Sequence, residues 1–260
     1  MPDTKQTSSD RFLGGRIEVA QPKSGAHRSG LDAVLLGAAL PEDARGTLMD
    51  LGSGVGVAGL TALAHNPTLD LIMIDNDPVS LDLAGANARQ HAKSAGNGPC
   101  PHVMNADITL TGSERRQTGL TPQSADFVIS NPPYNEIGKS RISPHAEKAH
   151  AHMLDDDALQ AWIDTAIWLL KPKGELFLIL RTTRLPLTLS TFGNRLGGVT
   201  ILPVHARSNQ PAARAIITGR QGSRAAFRIL PGLVLHGPSG SDFLPESAAI
   251  FAGEKRVSLQ

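Results

Sequence analysis

Cysteine, tyrosine and tryptophan are scarce in this sequence of 260 residues, which contains one, one and two of them respectively. The single Cys100 allows no internal disulfide. No fully apolar run is longer than about one strand, whereas a membrane-spanning helix needs roughly 20 apolar residues. Residues 1–10 are polar and have no apolar segment of the kind that a signal peptide requires. From these absences we expect a cytoplasmic protein without a membrane span.

A large excess of charge of one sign is also missing, because the net charge is only +1. The charge is nevertheless distributed unevenly along the chain. Residues 1–180 hold 15 Lys and Arg against 21 Asp and Glu, whereas residues 181–260 hold 10 against 3. Most cations of the second segment are arginines, whose planar guanidinium groups suit phosphate recognition. This segment therefore predicts either a contact surface for a nucleic acid or an ordinary solvated basic face.

Strand and helix patterns alternate along the chain. Buried strands are indicated at TLMDL (47–51), LDLIMID (69–75) and ADFVIS (125–130), and a helix follows each of the first two. A long helix over 155–174 and a strand at 175–181 come next, and two or three further strands lie beyond them. This order predicts an α/β fold with a doubly wound, mostly parallel sheet and an antiparallel strand at its finish.

We expect a single domain over residues 15–260, because a chain of this length can form one large core. The sequence also contains no internal repeat that would indicate a repeat architecture. The predicted parts are a flexible start at 1–14, a hairpin and helix cover at 15–46, a cofactor and catalytic core at 47–181, and a basic C-terminal part of the sheet at 182–260.

A glycine-rich loop, DLGSGVG, follows the first core strand at residues 50–56. Its alternate glycines, Gly52, Gly54 and Gly56, let the backbone approach a ligand closely before the next helix begins. Ligands of doubly wound sheets bind outside the carboxyl ends of the strands, so this loop is the predicted centre of a site. The alternative interpretation is that these glycines form a tight turn that binds no ligand.

The overlapping pattern GVGVAG (54–59) also satisfies the dinucleotide fingerprint G-x-G-x-x-G, and Asp75 lies where a ribose-binding acid is expected. Two observations favour a different cofactor. The fingerprint begins four residues after Asp50 instead of directly after the strand, and acids end three successive strands, at Asp50, Asp75 and Asp107. Three acids match an amino group, ribose hydroxyls and an adenine amine, and S-adenosylmethionine carries all three.

Four motifs at these spacings, DLGSGVG, IDNDP, NADI and SNPPY, resemble those of the Rossmann-like methyltransferases that use S-adenosylmethionine. Their Asn-Pro-Pro-Tyr element is typical of the branch that methylates amines. More narrowly, QPKSGAHRSGLDAVLLGAAL, SPHAEKAHAH and RILPGLVLH are similar to segments of the bacterial tRNA(Val) adenine-N6-methyltransferase family. The resemblance covers about residues 12–236. It implies a seven-stranded sheet, S-adenosylmethionine as cofactor and tRNA as substrate.

The resemblance also implies which residues hold the cofactor. The glycine loop and Asp50 would hold its methionine portion, Asp75 would accept hydrogen bonds from the ribose, and Asp107 would face the adenine. The segment that ends at Asp32 would cover the methionine end. The complete implied set is Arg28, Ser29, Asp32, Asp50, Gly52, Ser53, Gly54, Gly56, Asp75, Asn76, Ala106, Asp107 and Asn131.

The residue types of the Asn-Pro-Pro-Tyr element also suit the activation of an adenine amine. The N6 lone pair of adenine is delocalised into the ring, so acceptors must engage both amine hydrogens before the nitrogen can attack. Asn131 would supply its side-chain oxygen and Pro132 its carbonyl, while Pro133 would help to fix the backbone. Tyr134 would stack on the base. No metal and no covalent nucleophile are needed.

Other functions stay open from the residues alone. Asn135 stands where a second aromatic is common in the family, and His27 stands at another aromatic position. Methylation of a protein glutamine or of an rRNA guanine N2 is an alternative, as is a nicotinamide oxidoreductase or a non-catalytic nucleic-acid-binding module. His145, His150 and His152 lack the i,i+3 or i,i+4 spacing of helical metal ligands, so we expect no metal. The sequence gives no indication of oligomeric state.

Overall fold

A nine-stranded mixed sheet with helices on both faces forms the centre of the fold. This computed structural model describes residues 7–23, 30–96, 100–132 and 145–260, and for 145–155 it gives only the helical backbone. In chain order the elements are β1 (Thr7–Phe12), β2 (Ile17–Pro22), α1 (Leu31–Gly37), β3 (Gly46–Leu51), α2 (Val57–His65), β4 (Leu69–Asp75), α3 (Pro78–Ser94), β5 (His102–Asn105), α4 (Gly112–Gln117), β6 (Ala125–Ser130), α5 (His145–Leu169), β7 (Leu170–Arg181), α6 (Leu185–Phe192), β8 (Leu196–Arg207), β9 (Arg214–Gln221), β10 (Arg228–Ile229), β11 (Leu233–His236) and α7 (Pro245–Phe251).

The order of strands across the sheet is β10-β8-β9-β7-β6-β3-β4-β5, and β11 also pairs with β8. Strand β9 is antiparallel to both of its neighbours, and every other pair in this sheet is parallel. The predicted doubly wound, Rossmann-like sheet with an antiparallel strand near its end is therefore confirmed. The short strands β10 and β11 extend the seven expected strands to nine.

Two hydrophobic clusters, one on each face of the sheet, explain why the core strands read as continuous apolar runs. Helices α1, α2, α3 and α7 contribute to the first cluster, for example through Leu36, Leu60 and Ile250. Helices α5 and α6 contribute to the second, for example through Ile163 and Phe192. Parallel strands covered in this way all end at the same side. We call the side at which β3 to β6 end the carboxyl edge, and the opposite side the amino edge.

The N-terminal segment differs from the expected flexible start, because residues 7–12 form strand β1. They pair with β2 in an antiparallel hairpin that runs from Thr7 opposite Pro22 to Phe12 opposite Ile17. The sequence TSSDRF is polar and carries little strand signal. Backbone hydrogen bonds to β2 supply the ordering that the side chains do not indicate.

Helix α5 begins at His145, ten residues before the predicted start, and ends at Leu169. Residues 170–174, expected at the end of that helix, belong instead to β7. Lys171 anchors this extension, because its ammonium group lies 2.7 Å from a carboxylate oxygen of Asp126 beside the start of β6. Although α5 has 25 residues, no helix in the described ranges is long and apolar enough to cross a membrane.

One buried amide, that of Asn87, joins the hairpin to the first glycine-rich loop. Its nitrogen donates to the carbonyl oxygens of Val55 at 3.0 Å and Ala20 at 3.2 Å, and its oxygen accepts from the backbone nitrogen of Ala20 at 2.9 Å. Asn87 is only 1% exposed. Helix α3 therefore fixes both β2 and the loop after β3 through a single side chain.

The C-terminal residues close the face of the sheet that carries α1 and α2. Val257 is buried, and its backbone nitrogen donates to the carbonyl of Ala38 at 2.9 Å. Arg256 donates to the carbonyl of His65 at 2.7 Å and so satisfies the end of α2. Burial, and then the charge of Arg256, lowers the pKa of His65 to about 4. His65 is therefore neutral at physiological pH.

We expect Asn87→Ala to lower the free energy of unfolding by roughly 2–4 kcal/mol, because it leaves buried backbone groups of Ala20 and Val55 without partners. Urea denaturation measures this change. Gln90→Ala, at an exposed position of the same helix, is the matched control and should change stability by less than about 0.5 kcal/mol. Equal losses in the two variants would contradict the role given to Asn87.

Candidate functional site

The carboxyl edge brings together four polar segments that are distant in sequence. The loop after β3 lies next to the ends of β4 and β6, because β3 pairs with both strands. Asp75 ends β4, Asp107 follows β5, and Asn131 follows β6 directly. This is the position at which doubly wound sheets bind their ligands.

The glycine loop is held by backbone contacts and by its glycines. The nitrogens of Gly52 and Ser53 donate to the carbonyl of Ile74 at 2.8 and 3.0 Å. Gly52, Gly54 and Gly56 all have positive φ, at 67°, 53° and 94°. A Cβ on Gly52 would lie 2.5 Å from the ring of Trp162, whereas a Cβ on Gly54 would meet no atom of the described residues within 4 Å. The backbone at Gly54 is therefore the part of the loop that a ligand can approach.

The carboxylate of Asp75 ties the glycine loop to the end of β4. One oxygen accepts from the backbone nitrogen of Gly54 at 2.8 Å, and the other accepts from Asn76 and Asp77 at 2.8 and 3.0 Å. A carboxylate has about four acceptor positions, so these three bonds leave capacity for another donor. Asp75 is half-buried, and the side chain of Asn76 is exposed. The acid is thus oriented by the backbone and still accessible.

Asp50 lies beneath the loop and is only 1% exposed. One carboxylate oxygen accepts from the backbone nitrogen of Gly59 in the first turn of α2, at 2.9 Å. Burial raises the pKa of Asp50 to about 7; the hydrogen bond from Gly59 opposes this shift, and the charge of Asp75 adds to it. A buried acid of this kind favours a cationic group nearby, since such a group would stabilise the ionised form.

Two polar atoms next to the ends of β3 and β6 are buried without any hydrogen-bond partner among the described residues. They are the hydroxyl of Ser53 and the side-chain oxygen of Asn131. Buried polar atoms in folded proteins are nearly always paired. Both atoms lie beside strand ends at the carboxyl edge, and their unmet capacity fits a polar ligand. The residues present therefore fit S-adenosylmethionine and an amine substrate chemically.

The end of β5 contributes a less open group. The backbone nitrogen of Ala106 donates to the carbonyl of Asp75 at 3.0 Å, which fixes this turn against β4. One carboxylate oxygen of Asp107 accepts from the backbone nitrogen and the hydroxyl of Thr109, at 2.9 and 2.6 Å. Asp107 therefore caps its own turn with one oxygen. The second carboxylate oxygen of Asp107 has no partner in the described part of the chain, so it is the one available to a ligand.

Asp32, in the first turn of α1, forms an ion pair that the sequence did not indicate. Its carboxylate accepts from Nε of Arg214 at 2.9 Å, and both side chains are just under a third exposed. Arg214 is the first residue of β9 and pairs with Arg181 at the carboxyl edge. The start of α1 is thereby fixed at the same edge as the glycine loop.

Ser130 and Trp162 are site residues that sequence reasoning missed. The buried hydroxyl of Ser130 donates to the carbonyl of Leu51 at 2.7 Å and accepts from the indole nitrogen of Trp162 at 2.9 Å. The same indole lies against Gly52. One side chain from α5 therefore touches both the glycine loop and the residue before Asn131. No spacing in the sequence links these positions.

Four predicted site residues, Arg28, Ser29, Pro133 and Tyr134, lie outside the described residues. Their roles stay predictions. Of the expected acceptor pair, the structure describes Asn131 and the buried Pro132. In the part of the chain that is described, no three His, Cys, Asp or Glu side chains converge as metal ligands would.

Comparisons with known proteins agree with this geometry. A family model described as the methyltransferase small domain matches residues 29–194. A Porphyromonas gingivalis protein described as tRNA1(Val) (adenine(37)-N6)-methyltransferase is 28% identical over 228 residues, which cover 85% of this chain and 86% of that protein. A protein of the same description from a Flavobacteriaceae bacterium is 30% identical over 129 residues, half of each chain.

The fold is also found among solved structures. A predicted O-methyltransferase from Agrobacterium tumefaciens has a TM-score of 0.70 and 25% identity, and the match covers 87% of this chain and 98% of that one. These matches favour a methyltransferase over the two other hypotheses, a nicotinamide oxidoreductase with GVGVAG as its fingerprint and a non-catalytic nucleic-acid-binding module. The chain belongs to the methyltransferase small domain family, and it is an S-adenosylmethionine-dependent methyltransferase.

Proposed function

We propose that the protein methylates the exocyclic N6 amine of an adenine in tRNA. The observation that carries this proposal is the side-chain oxygen of Asn131, which lies directly after β6 and is buried without a partner among the described residues. It is an acceptor in need of a donor, and an amine hydrogen is such a donor. The two relatives whose descriptions name tRNA adenine methylation support the choice of substrate.

The donor would be held by residues of the carboxyl edge. Asp75 would accept from the ribose hydroxyls, the open backbone at Gly54 and the hydroxyl of Ser53 would lie along the methionine portion, and Asp107 would face the adenine. Asp50 would stabilise the donor's amino group from below the loop. When bound, S-adenosylmethionine supplies an electrophilic methyl group on a sulfonium. These residues orient the donor and exclude water.

The acceptor side needs no base that takes a proton before the reaction. Asn131 and the carbonyl of Pro132 would each accept one hydrogen of the amine, which directs the nitrogen lone pair out of the ring system. Attack of the nitrogen on the methyl carbon would break the carbon–sulfur bond, whose electron pair would stay on the neutral sulfur of the leaving thioether, and the extra proton on the nitrogen would pass to water. Because the polypeptide fixes both acceptors, they act as preorganised groups in a water-poor site.

The arginines of the C-terminal segment divide between the two edges of the sheet. Arg207 ends β8 at the carboxyl edge and donates to the carbonyls of Gly237 and Gly240, and Arg214 at that edge pairs with Asp32. Arg220 pairs with Glu175 near the start of β7, at the amino edge. The exposed Arg224 follows β9 on the amino-edge side. The basic C-terminal segment, which the sequence indicates as a possible nucleic-acid surface, is therefore divided between the two edges, and its two pairs of arginines would contact different parts of the RNA.

The substrate is identified by labelling. Wild-type protein and labelled S-adenosylmethionine are incubated with total tRNA, rRNA and protein from cells that lack the enzyme, and the labelled fraction is analysed for modified nucleosides. N6-methyladenosine in tRNA is the expected product. Label in protein alone would support the glutamine alternative, and N2-methylguanosine in rRNA would support the guanine alternative.

Asp75→Ala should weaken binding of S-adenosylmethionine by about 1.5–3 kcal/mol, because it removes a charged hydrogen-bond acceptor. Calorimetric titration measures this loss. Asp70→Ala is the control, since Asp70 is an exposed acid near the other end of the same strand. Donor affinity that is equal in the two variants would contradict the ribose assignment.

Asn131→Ala should lower the rate of methyl transfer by a factor of about 100 or more and leave donor affinity nearly unchanged, because it removes an acceptor of the target amine only. Single-turnover assays and donor titrations separate the two effects. Tyr134→Phe should be mild because stacking survives. A variant at Asn131 that binds the donor as poorly as Asp75→Ala would show that the amide serves the donor instead.

Asp50 gives donor binding a pH dependence. Its pKa is about 7 in the free protein, and the ionised form pairs better with an ammonium group, so binding should release a proton below pH 7. Donor affinity should therefore rise with pH between about 5.5 and 7, where an α-amino group stays protonated. The rise should reach at most about tenfold per pH unit. Asp50→Asn should have a flat profile, and parallel profiles would exclude a contact between Asp50 and the donor's amino group.

A further inference from the structure

An open groove of about 540 Å³ lies at the amino edge, away from the site described above. It is formed between the α4 region, the C-terminal half of α5 and the start of β8. The side chains that matter for its chemistry are Thr111, Arg115, Gln123, Asp164, Trp168 and Arg195. None of them is used by the proposed transfer reaction.

Arg115 is the unusual member of this amino-edge groove. The residue is only 9% exposed, its Nε donates to the carbonyl of Leu110 at 3.0 Å, and its guanidinium carbon lies 5.4 Å from the ring centroid of Trp168. Burial lowers the pKa of Arg115, and the charge of Asp164 opposes this shift. In the described part of the chain, its two terminal nitrogens have no hydrogen-bond partner, and no carboxylate forms an ion pair with it.

The one acid of the groove is already engaged. Asp164 accepts from Arg195 at 2.7 Å, and Arg195 also donates to the carbonyl of Thr191. The carboxylate of Asp164 pairs with Arg195 and acts on Arg115 only through its charge, so the two guanidinium groups of the groove face a single acid among its described lining residues. A charge with so little exposure is stabilised by a counter-ion. The open groove gives an anion access to the guanidinium group of Arg115.

The neighbouring groups favour a phosphate. Terminal guanidinium nitrogens form forked hydrogen bonds to phosphate oxygens, and Thr111 and Gln123 offer neutral polar groups around the same space. Arg224 lies exposed at the same edge of the sheet and adds positive charge beyond the groove, whereas Arg220 is already paired with Glu175. A phosphodiester backbone, which carries repeated charges, fits this arrangement.

We propose that the amino-edge groove binds a backbone phosphate of the RNA substrate and anchors the RNA at a distance from the target base. This inference rests on the proposed function. Strand β6 has six residues, so the groove lies about 20 Å from Asn131 at roughly 3.3 Å per residue. The anchored phosphate is therefore several nucleotides away from the methylated adenosine.

The test compares two substitutions that make the same chemical and charge change. Gln123→Glu places a carboxylate in the groove that Arg115 also lines, and Gln90→Glu places one at an exposed position of α3, away from the groove. Initial rates are measured with full-length tRNA and with a trinucleotide that contains the target adenosine. Gln123→Glu should raise KM for tRNA about tenfold, leave kcat unchanged, and reduce the slope of log affinity against log salt by about 0.7. Gln90→Glu should match wild type.

The trinucleotide is the internal control for distance. It is too short to reach the groove, so all variants should methylate it with the KM of wild type. Arg115→Met, which keeps the length of the side chain, should reproduce the tRNA effect with unchanged donor affinity. A fluorescence titration with inorganic phosphate and with adenosine monophosphate reports whether free anions use the groove.

Three results would overturn the inference. The first is an unchanged KM for tRNA in both groove variants. The second is an equal rise in KM for the trinucleotide, which would place the effect at the catalytic site. The third is loss of binding of the free anions without any change toward tRNA, because the groove would then serve a small anion. If wild-type protein methylates no RNA at all, it is the proposed function that fails, and the labelling experiment reveals this before any variant is made.

Discussion

Parallel pairing of β3 with β4 on one side and β6 on the other is the constraint on which the functional edge depends. It aligns the carboxyl ends of three strands, so that the glycine loop, Asp75 and Asn131 become neighbours although 81 positions separate Asp50 from Asn131 in the sequence. Parallel strands need crossovers, and these place helices on both faces. The strands are then buried, and only the loops at their ends remain for chemistry.

Within this sheet, a few side chains fix the position of one structural element relative to another. Asp75 uses three acceptor positions on backbone nitrogens and so fixes the loop that it would share with a ligand. Trp162 joins Gly52 to Ser130, and Asn87 joins Val55 to the N-terminal hairpin. The glycine loop is therefore supported from both faces of the sheet. Such support is what preorganised polar groups require, since they must not relax when charge develops.

The two edges of the sheet have different electrostatic characters. The carboxyl edge carries acids whose partners are mainly backbone nitrogens, as for Asp50 and Asp75, and its Arg214 is neutralised by Asp32. Arginines occur at both edges, and at Arg115 of the amino edge the positive charge has no ion-pair partner in the described chain. Under our two proposals, the donor binds at the carboxyl edge and an RNA phosphate at the amino edge.

The sequence by itself determined the fold class, the bounds of β4 and β6, and the placement of the glycines and acids at strand ends. Those features are local, because burial on two faces produces apolar runs and positive φ demands glycine. It did not indicate β1, whose polar residues are ordered by backbone pairing, or the early start of α5. Nor could it indicate the contacts of Trp162, the pairing of Asp32 with Arg214, or the unpaired charge of Arg115. Each of these depends on which distant side chain the packing brings within hydrogen-bond distance. Periodicity along the chain does not indicate such long-range contacts.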